Sequence, residues 1–505
     1  MTLVPHSMPL SPTASVSQKI SNWIIPMGVY WLTGLFMMTA IVMKNGSQPI
    51  AFLLLLTVFP AFLLQIKGIN LKNTNHHPAP WSQTCIPQSC IPQPYRLWTL
   101  MFLMPLMTSL PLAVTSQTGM PLDAPARYLA AWIVFIGLAY YSKKNIPLIN
   151  PCWLLRAASI GVIIPIVWQF PMITSEARVN WGVGHLDSAY IGVALMALSI
   201  TQLSLDRSLV WRCIGVIGAS CALLLIIKTG TRGAWPAIIL VCLLQLILLP
   251  RRNKPRLLNL FLFIIVLITA FSLSPMIKTR IGQATNDISG YTNDNNRQTS
   301  LGIRFDYWQV AMMAFKESPI LGVSYPRRGE LMQAYIEKNP ASRGIGTSGR
   351  SSSHNEILQT LSTKGLVGLA SLLLLYFVPL VFFIRHYWLA KKQQNSQASQ
   401  TSQAKAPDSP QSCDQNQRNL RYLSMAGISI VVAFATCGLT EAPLFNVRSA
   451  TFYGFTLVFL YHAITQINSA LSTQQCSIST IDSNKNSATT SSTTTSVSKQ
   501  EYANA

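Results

Sequence analysis

Long apolar runs recur from one end of the chain to the other. Most are roughly 17 to 25 residues long, the length that an α-helix needs to cross a bilayer. Ten-residue segments of alternating polarity, which would indicate a membrane β-barrel, do not occur. The pattern predicts an all-α, polytopic transmembrane helical bundle of about twelve spans, placed at 23–43, 49–66, 97–114, 127–142, 147–171, 188–204, 209–227, 234–250, 257–275, 365–384, 422–438 and 449–466.

One long segment between the spans, residues 276–364, has apolar content of its own. Within it, SLGIRFDYWQVAMMAFKESPILG predicts an amphipathic helix from Ser300 to Lys316, capped by Ser300 and ended by Pro319 and Gly322. Its apolar positions recur three or four residues apart: Leu301, Phe305, Trp308, Met312 and Phe315. We expect this stripe to lie on the lipid surface or on the mouth of the bundle.

Composition and charge agree with a membrane protein. The 505 residues are 50% hydrophobic and 11% charged, with a mean hydropathy of +0.33, which excludes an ordinary soluble protein. Lys and Arg concentrate in alternate short loops, so the positive-inside rule places both termini in the cytoplasm and 276–364 in the periplasm. The net charge of +22 therefore indicates topology and not binding of nucleic acid. The cytoplasmic cations are Lys67, Lys72, Arg96, Lys143, Lys144, Arg207, Arg212, the RRNKPR stretch at 251–256, Arg385, Lys391, Lys392, Lys405, Arg418 and Arg421.

These features divide the chain into consecutive segments. The first twenty residues lack an apolar core, so we expect no cleaved signal peptide. A Gln- and Ser-rich linker and a Ser- and Thr-rich tail are too polar to bury a core and are expected to be disordered. The segments are a cytoplasmic tail 1–22, nine spans within 23–275, a periplasmic catalytic loop 276–364, a tenth span 365–384, the cytoplasmic linker 385–421, two spans within 422–466 and the cytoplasmic tail 467–505.

Arg232 lies in the stretch KTGTRGAW between two predicted spans. The start of a helix disfavours a cation, because the helix dipole is positive there. A guanidinium at this position is better understood as facing an anion, helped by nearby backbone N–H groups. The alternative is an anchor to lipid headgroups. Lys228 begins the same stretch.

His354, Asn355 and Glu356 stand at the beginning of an apolar run, in SSSHNEILQTL. On a helix His354 and Glu356 would point about 200° apart, so they would not pair. One interpretation is an ordinary helix start, in which these polar groups cap the helix. The other is catalytic, because a histidine can take a proton from a hydroxyl nucleophile near neutral pH.

Other charged residues at span ends have weaker signals. Arg304, on the predicted amphipathic helix, is either an anion contact or a surface residue balanced by Asp306. Two more stretches are either sites or simple turns: RVNWGVGHLDSAY, with Arg178, His185 and Asp187, and LTEAPLFNVR, with Glu441 and Arg448. The outer segments have no cluster of carboxylates that would hold Mg²⁺ or Mn²⁺. We therefore expect no metal and no cofactor, and arginine to stabilise any anion.

Three stretches, in this order and separated by spans, resemble the O-antigen ligases of Gram-negative bacteria. They are TGTRGAW, SLGIRFDYWQVAMMAFKESPILGVS and HNEILQTLSTKGLVGLASLLLLYFVPL. The superfamily also holds O-antigen polymerases and pilin-type O-oligosaccharyltransferases. The similarity covers most of residues 120–465 and is firmest from Arg232 to Leu380.

The resemblance implies a metal-independent glycosyltransferase of the bacterial inner membrane, with its active site at the periplasmic face. Its partners would be an undecaprenyl-pyrophosphate-linked glycan donor, a hydroxyl of lipid A-core as acceptor, and membrane lipids. Arg232 and Arg304 match the arginines that hold the pyrophosphate, and His354 matches the histidine that activates the acceptor. A glycine downstream of that histidine is matched by Gly368, whereas Ser352 stands where family members often have another histidine.

Several residues are expected to support this site, and other functions stay open. A direct attack by the acceptor would invert the anomeric centre, and two guanidinium groups would stabilise the leaving group. The alternatives are a pilin-type protein O-oligosaccharyltransferase with the same donor, an O-antigen polymerase, and a transporter of the lipid-linked glycan. The supporting residues are Asn355, Glu356, Lys228, Arg178, His185 and Arg350.

Overall fold

The computed structural model describes residues 25–71, 94–143, 146, 148–169, 179, 181–249, 265, 275–293, 296–403 and 411–472. All regular structure in these residues is helical, which confirms the predicted all-α class for this part of the chain. The first helices are α1 Ile25–Thr39, α2 Gln48–Leu71, α3 Pro94–Thr115, α4 Asp123–Lys143, α5 Pro151–Trp168, α6 His185–Leu205, α7 Leu209–Thr229 and α8 Trp235–Leu248. The remaining helices are α9 Pro275–Asn293, α10 Ser300–Glu317, α11 Tyr325–Lys338, α12 Glu356–Gln403, α13 Gln411–Gly438 and α14, residues 447–472.

Eight of the described helices are long and apolar enough to cross a membrane, namely α2 to α7, α12 and α13. Helices α1 and α8 are apolar but shorter. Helix α14 coincides with the predicted span at 449–466, and the predicted span at 257–275 lies outside the described residues apart from Ile265 and Pro275. The count of twelve spans stays a prediction.

Helix α6 lies at the centre of the bundle. Every residue from Asp187 to Leu205 is buried, and the helix packs against α5, α7, α8 and α13. A polar side chain in such a place needs a hydrogen-bond partner inside the protein. Gln202 has two, because its amide donates to the carbonyl of Trp211 at 2.8 Å and accepts from the hydroxyl of Ser159 at 2.6 Å. These bonds tie α5, α6 and α7 together.

The predicted amphipathic helix is confirmed as α10, with two corrections. Its N-cap is Thr299, one residue earlier than predicted, and the Thr299 side chain accepts from the backbone N–H of Gly302. The face buried within the protein is not the predicted apolar stripe, of which Met312 is exposed. It is formed by the neighbouring positions Asp306, Tyr307, Val310, Ala311 and Ala314, because α10 packs against α11 and α12.

Helix α12 is interrupted at Gly365, which has φ 61° and ψ −155°. The connection between α10 and α11 fits into this kink: the carbonyl of Pro319 accepts from the N–H of Leu366 at 2.8 Å. A Cβ atom at Gly365 would lie 2.3 Å from the backbone of Ile320, and one at Gly322 would lie 2.3 Å from that of Thr363. The kink therefore anchors the α9–α11 segment to the bundle.

The predicted linker at 385–421 differs from the structure, since α12 continues to Gln403 and α13 begins at Gln411. Its abundant Gln, Lys and Ala residues have high helix propensity, so a helix that leaves the bundle can continue without burying a core. Residues 404–410 and the predicted tail 1–22 lie outside the described residues, as does the part of the predicted tail 467–505 that follows residue 472. Residues 467–472 of that tail belong to α14.

We expect Gly365→Ala to destabilise the protein by at least about 1 to 2 kcal/mol, because a Cβ disfavours positive φ and the site has no space for it. Thermal unfolding of the detergent-solubilised protein would report a lower midpoint. Gly282→Ala is the matched control, since a Cβ there meets nothing within 4 Å. An unchanged midpoint in Gly365→Ala would contradict this account of the kink.

Candidate active site

The connection between α13 and α14, residues 439–446, gathers side chains from distant parts of the sequence. Nη1 of Arg304 donates to the carbonyl of Thr440 at 3.0 Å. Nδ1 of His354 lies 2.8 Å from Oε2 of Glu441, and Nη2 of Arg304 lies 3.9 Å from the same oxygen. The side chains of Arg304 and His354 are 27% and 31% exposed, so a substrate can reach both.

Arg232 reaches the same connection through its own turn. Residues Arg232–Ala234 form one turn of 3₁₀ helix that leads into α8, which confirms the predicted helix start. The hydroxyl of Thr440 donates to the carbonyl of Gly233 at 3.2 Å, and a Cβ at Gly233 would lie 2.3 Å from that hydroxyl. Nη2 of Arg232 lies 3.8 Å from Oδ2 of Asp287 on α9. The three residues singled out by motif are therefore arranged around Thr440 and Glu441.

The sequence pattern suggested that His354 lies on the first turn of a helix. In the structure His354 precedes that helix. Helix α12 begins at Glu356. The side-chain oxygen Oδ1 of Asn355 accepts a hydrogen bond from the backbone N–H of Leu358 at 3.0 Å. His354 has φ +48°, a conformation that costs a non-glycine residue about 1 kcal/mol or more. Its backbone N–H donates to the hydroxyl of Ser352 at 3.0 Å. This conformation turns the imidazole toward Glu441.

Ser352, the departure from the family pattern, belongs to this arrangement. Its hydroxyl donates to Oε1 of Glu441 at 3.1 Å, while His354 occupies Oε2. Because a carboxylate only accepts hydrogen bonds, a neutral His354 carries its proton on Nδ1 and has a lone pair on Nε2. The arrangement can therefore accept a proton from a bound hydroxyl group.

Asn355 and Glu356 hold the 439–446 connection in place. The Asn355 amide donates to the carbonyl of Leu439 at 3.1 Å. Glu356 is buried and accepts from the N–H of Leu444 at 2.7 Å and from the hydroxyl of Tyr376. Both predicted supporting residues thus position the loop that carries Glu441.

Arg328 supports His354 from the other side and was not predicted as a site residue. It is fully buried on α11, and its guanidinium donates to the carbonyls of Gly349 at 2.8 Å and Ser351 at 2.6 Å and to the hydroxyl of Ser353 at 2.7 Å. Burial lowers the pKa of Arg328 to about 10, so it is still charged at neutral pH. A signal was present in the sequence, because Arg328 shares one helix face with Leu331, Met332 and Tyr335.

The other predicted residues have varied positions. Lys228 lies in the last turn of α7 and His185 begins α6, whereas Arg350 is exposed between α11 and α12. Arg178 lies outside the described residues. Arg448 pairs with Asp187 at 3.5 Å and so connects α14 with α6.

The expectation that Asp306 balances Arg304 is wrong. Asp306 is buried and accepts from Nη1 of Arg297 at 3.2 Å and from the hydroxyl of Tyr335 at 3.0 Å. These contacts arise because Asp306 lies on the inner face of α10, toward α11, whereas Arg304 lies toward Thr440. Asp306 therefore does not pair with Arg304, whose guanidinium faces Thr440 and Glu441.

Comparison with known proteins fits this geometry. Residues 217–373 match the family model described as O-Antigen ligase, and this range contains Arg232, Arg304 and His354. This part of the chain is therefore similar to the O-antigen ligases. The chain is also 30% identical over 161 residues to a protein named O-antigen ligase from Escherichia coli strain K12, which covers 31% of this chain and 38% of that protein.

A second relative is an uncharacterized protein of Haemophilus influenzae strain Rd, which is 29% identical over 208 residues, or 40% of this chain and 52% of that protein. The chain thus spans about half, or less, of the length of the relatives that it matches. Thr440 and Glu441 lie beyond the range matched by the O-antigen ligase family model. The carboxylate partner of His354 is therefore visible only in the folded structure.

We expect Arg328→Met to lower the free energy of unfolding by about 3 kcal/mol, because it leaves two buried acceptors and one partly buried acceptor without a donor. It should also speed tryptic cleavage after the exposed Arg343 and Arg350, since the segment before His354 loses its anchor. Arg327→Met is the matched neighbour: Arg327 is exposed and pairs with Glu317 and Glu330, so its loss should cost about 1 kcal/mol or less. Equal effects of the two substitutions would exclude an anchoring role for Arg328.

Proposed function

We propose that this chain transfers a glycan from an undecaprenyl-pyrophosphate donor to a hydroxyl group of lipid A-core, at the periplasmic face of the inner membrane. The observation that carries this proposal is that Arg304, the His354–Glu441 pair and the turn that carries Arg232 all meet at Thr440 and Glu441. The two arginines suit a pyrophosphate, and the histidine–carboxylate pair suits the deprotonation of a hydroxyl group. The distribution of Lys and Arg along the chain supports the periplasmic side.

In this reaction the acceptor hydroxyl donates its proton to Nε2 of His354 while its oxygen attacks the anomeric carbon. The bond between that carbon and the pyrophosphate oxygen breaks, so the configuration at the carbon inverts. Glu441 stabilises the imidazolium that forms, and it holds the ring in the orientation that exposes Nε2. Negative charge develops on the departing pyrophosphate.

Arg232 and Arg304 stabilise that charge, each by roughly 3 kcal/mol if they behave like other preorganised donors. Their contacts with Asp287 and Glu441, at 3.8 and 3.9 Å, are longer than hydrogen bonds. A phosphate oxygen at hydrogen-bonding distance would bind each guanidinium more strongly than these carboxylates do. The site is therefore prepared for an anionic ligand.

The reaction and its acceptor can be tested in the host by deletion of the gene and complementation with variants. We expect deletion to remove long-chain lipopolysaccharide from gels and to accumulate undecaprenyl-linked glycan. Wild-type protein should restore the ladder, whereas His354→Ala should not. His386→Ala is the control, because His386 contacts the Phe382 carbonyl within α12.

Three results would contradict the proposal. Intact lipopolysaccharide with an unglycosylated pilin after deletion would assign a protein acceptor. Single-repeat O-antigen on lipid A-core would assign a polymerase. Restoration of the ladder by His354→Ala, at normal protein levels in the membrane, would remove the histidine from the mechanism.

Glu441→Gln should lower kcat by about 100-fold or more, with little change in the KM of either substrate, because the amide no longer fixes the tautomer or stabilises the imidazolium. The measurement is glycan transfer by purified protein with both lipid substrates. Glu317→Gln is the control, since Glu317 pairs with Arg327 on the surface. A rate for Glu441→Gln within twofold of the control would show that the carboxylate only maintains the fold.

A further inference from the structure

A pocket lies beside the candidate active site, between α3, α4 and α12. Its volume is about 70 Å³, and a single ordered water needs only about 10 to 15 Å³ of such space. It therefore has room for a small polar group of several atoms. Leu444, held by Glu356 and located three residues after Glu441, lines it on the side of the active site.

Lys364 is the cation that lines this pocket. It is the last residue before the kink at Gly365, and its Nζ lies 4.6 Å from the centre of the Phe445 ring. Within the part of the chain that the structure describes, the ammonium group makes no hydrogen bond and has no carboxylate within 4.0 Å. Both oxygens of the nearby Glu356 accept other hydrogen bonds, from Leu444 and Tyr376. The donors of Lys364 are thus uncommitted.

Neutral donors accompany Lys364. The hydroxyl groups of Ser371 and Tyr325 belong to residues that line the pocket, and neither has a hydrogen-bond partner among the described residues. One ammonium group with two hydroxyl groups is a donor set suited to a phosphate or a carboxylate. An apolar occupant would leave all three unsatisfied.

Gly368 makes this arrangement of Lys364 sterically feasible. A Cβ at Gly368 would lie 2.2 Å from the Cβ of Lys364 and 3.1 Å from the methyl group of Thr360. Only a glycine leaves room for the lysine stem beside the helix after the kink. The glycine that the sequence analysis matched to the family pattern therefore has a local purpose, which is to admit Lys364 to the pocket.

The helices around the pocket present apolar side chains to the outside. Met120 lines the pocket and is 54% exposed, while Met107 and Val114 on α3 and Leu373 on α12 are also exposed. In a membrane these faces contact acyl chains. A ligand that places its anionic group in this pocket can therefore pack a hydrocarbon chain against these apolar side chains.

We propose that the Lys364 pocket binds the phosphate or carboxylate of an anionic lipid headgroup, as a subsite separate from Arg232 and Arg304. The lipid is either the acceptor itself or an anionic lipid of the surrounding bilayer, since both offer the same group to the lysine. The proposal does not depend on glycan transfer, because it concerns binding alone.

The test is lipid retention by the purified full-length protein in native mass spectrometry, with lipid A-core, phosphatidylglycerol and uncharged diacylglycerol as probes. We expect Lys364→Gln to bind the first two about tenfold more weakly than wild type, and diacylglycerol equally. Lys364→Arg should restore binding. Lys316→Gln, on the exposed side of α10, should behave as wild type.

The probes separate the sources of the anion. Preference for lipid A-core over phosphatidylglycerol would identify an acceptor subsite, and equal binding would identify a general headgroup site; both support the proposal. Unchanged retention in Lys364→Gln would overturn it. If that variant fails to fold, Ser371→Ala serves instead, and equal retention of anionic lipid by Ser371→Ala and wild type would overturn the proposal.

Discussion

Two carboxylates hold the α13–α14 connection against the start of α12, one from each side. Glu356 belongs to α12 and binds the backbone of the connection at Leu444, whereas Glu441 belongs to the connection and binds Ser352 and His354. Burying a carboxylate is costly unless hydrogen bonds compensate it, and each oxygen of this pair has a partner. The position of every catalytic candidate depends on this reciprocal contact, because Arg304 and Gly233 also bind to Thr440.

The segment formed by α9, α10 and α11 reinforces this contact. Helix α10 supplies Arg304, and α11 supplies Arg328, which holds the residues before His354. Both helices are fixed to the bundle where their connection enters the kink at Gly365. The segment between the spans is thus a rigid support for polar groups, and a strained backbone at His354 persists because its neighbours determine it from several sides.

The periodicity of the sequence predicted the helices well and their packing poorly. The bounds of α10 and the start at Arg232 followed from local signals, which are caps, turns and apolar spacing. The buried face of α10 and the partner of His354 did not follow from such signals. Glu441 lies 87 residues after His354, and no local period reports which helices will be neighbours. In the sequence Ser352 is only a position where a histidine is absent, because its contact with Glu441 exists only in the folded structure.

The distance in sequence between His354 and the 439–446 connection limits which segments can be exchanged between related proteins. The segment that the family model matches ends at residue 373, and the loop that fixes its histidine begins 66 residues later, at Leu439. A chimera that exchanges only the matched segment between relatives would place one protein's histidine against another protein's loop. Residues 352–356 and 439–446 must therefore be exchanged together, although α12 and α13 separate them in the chain.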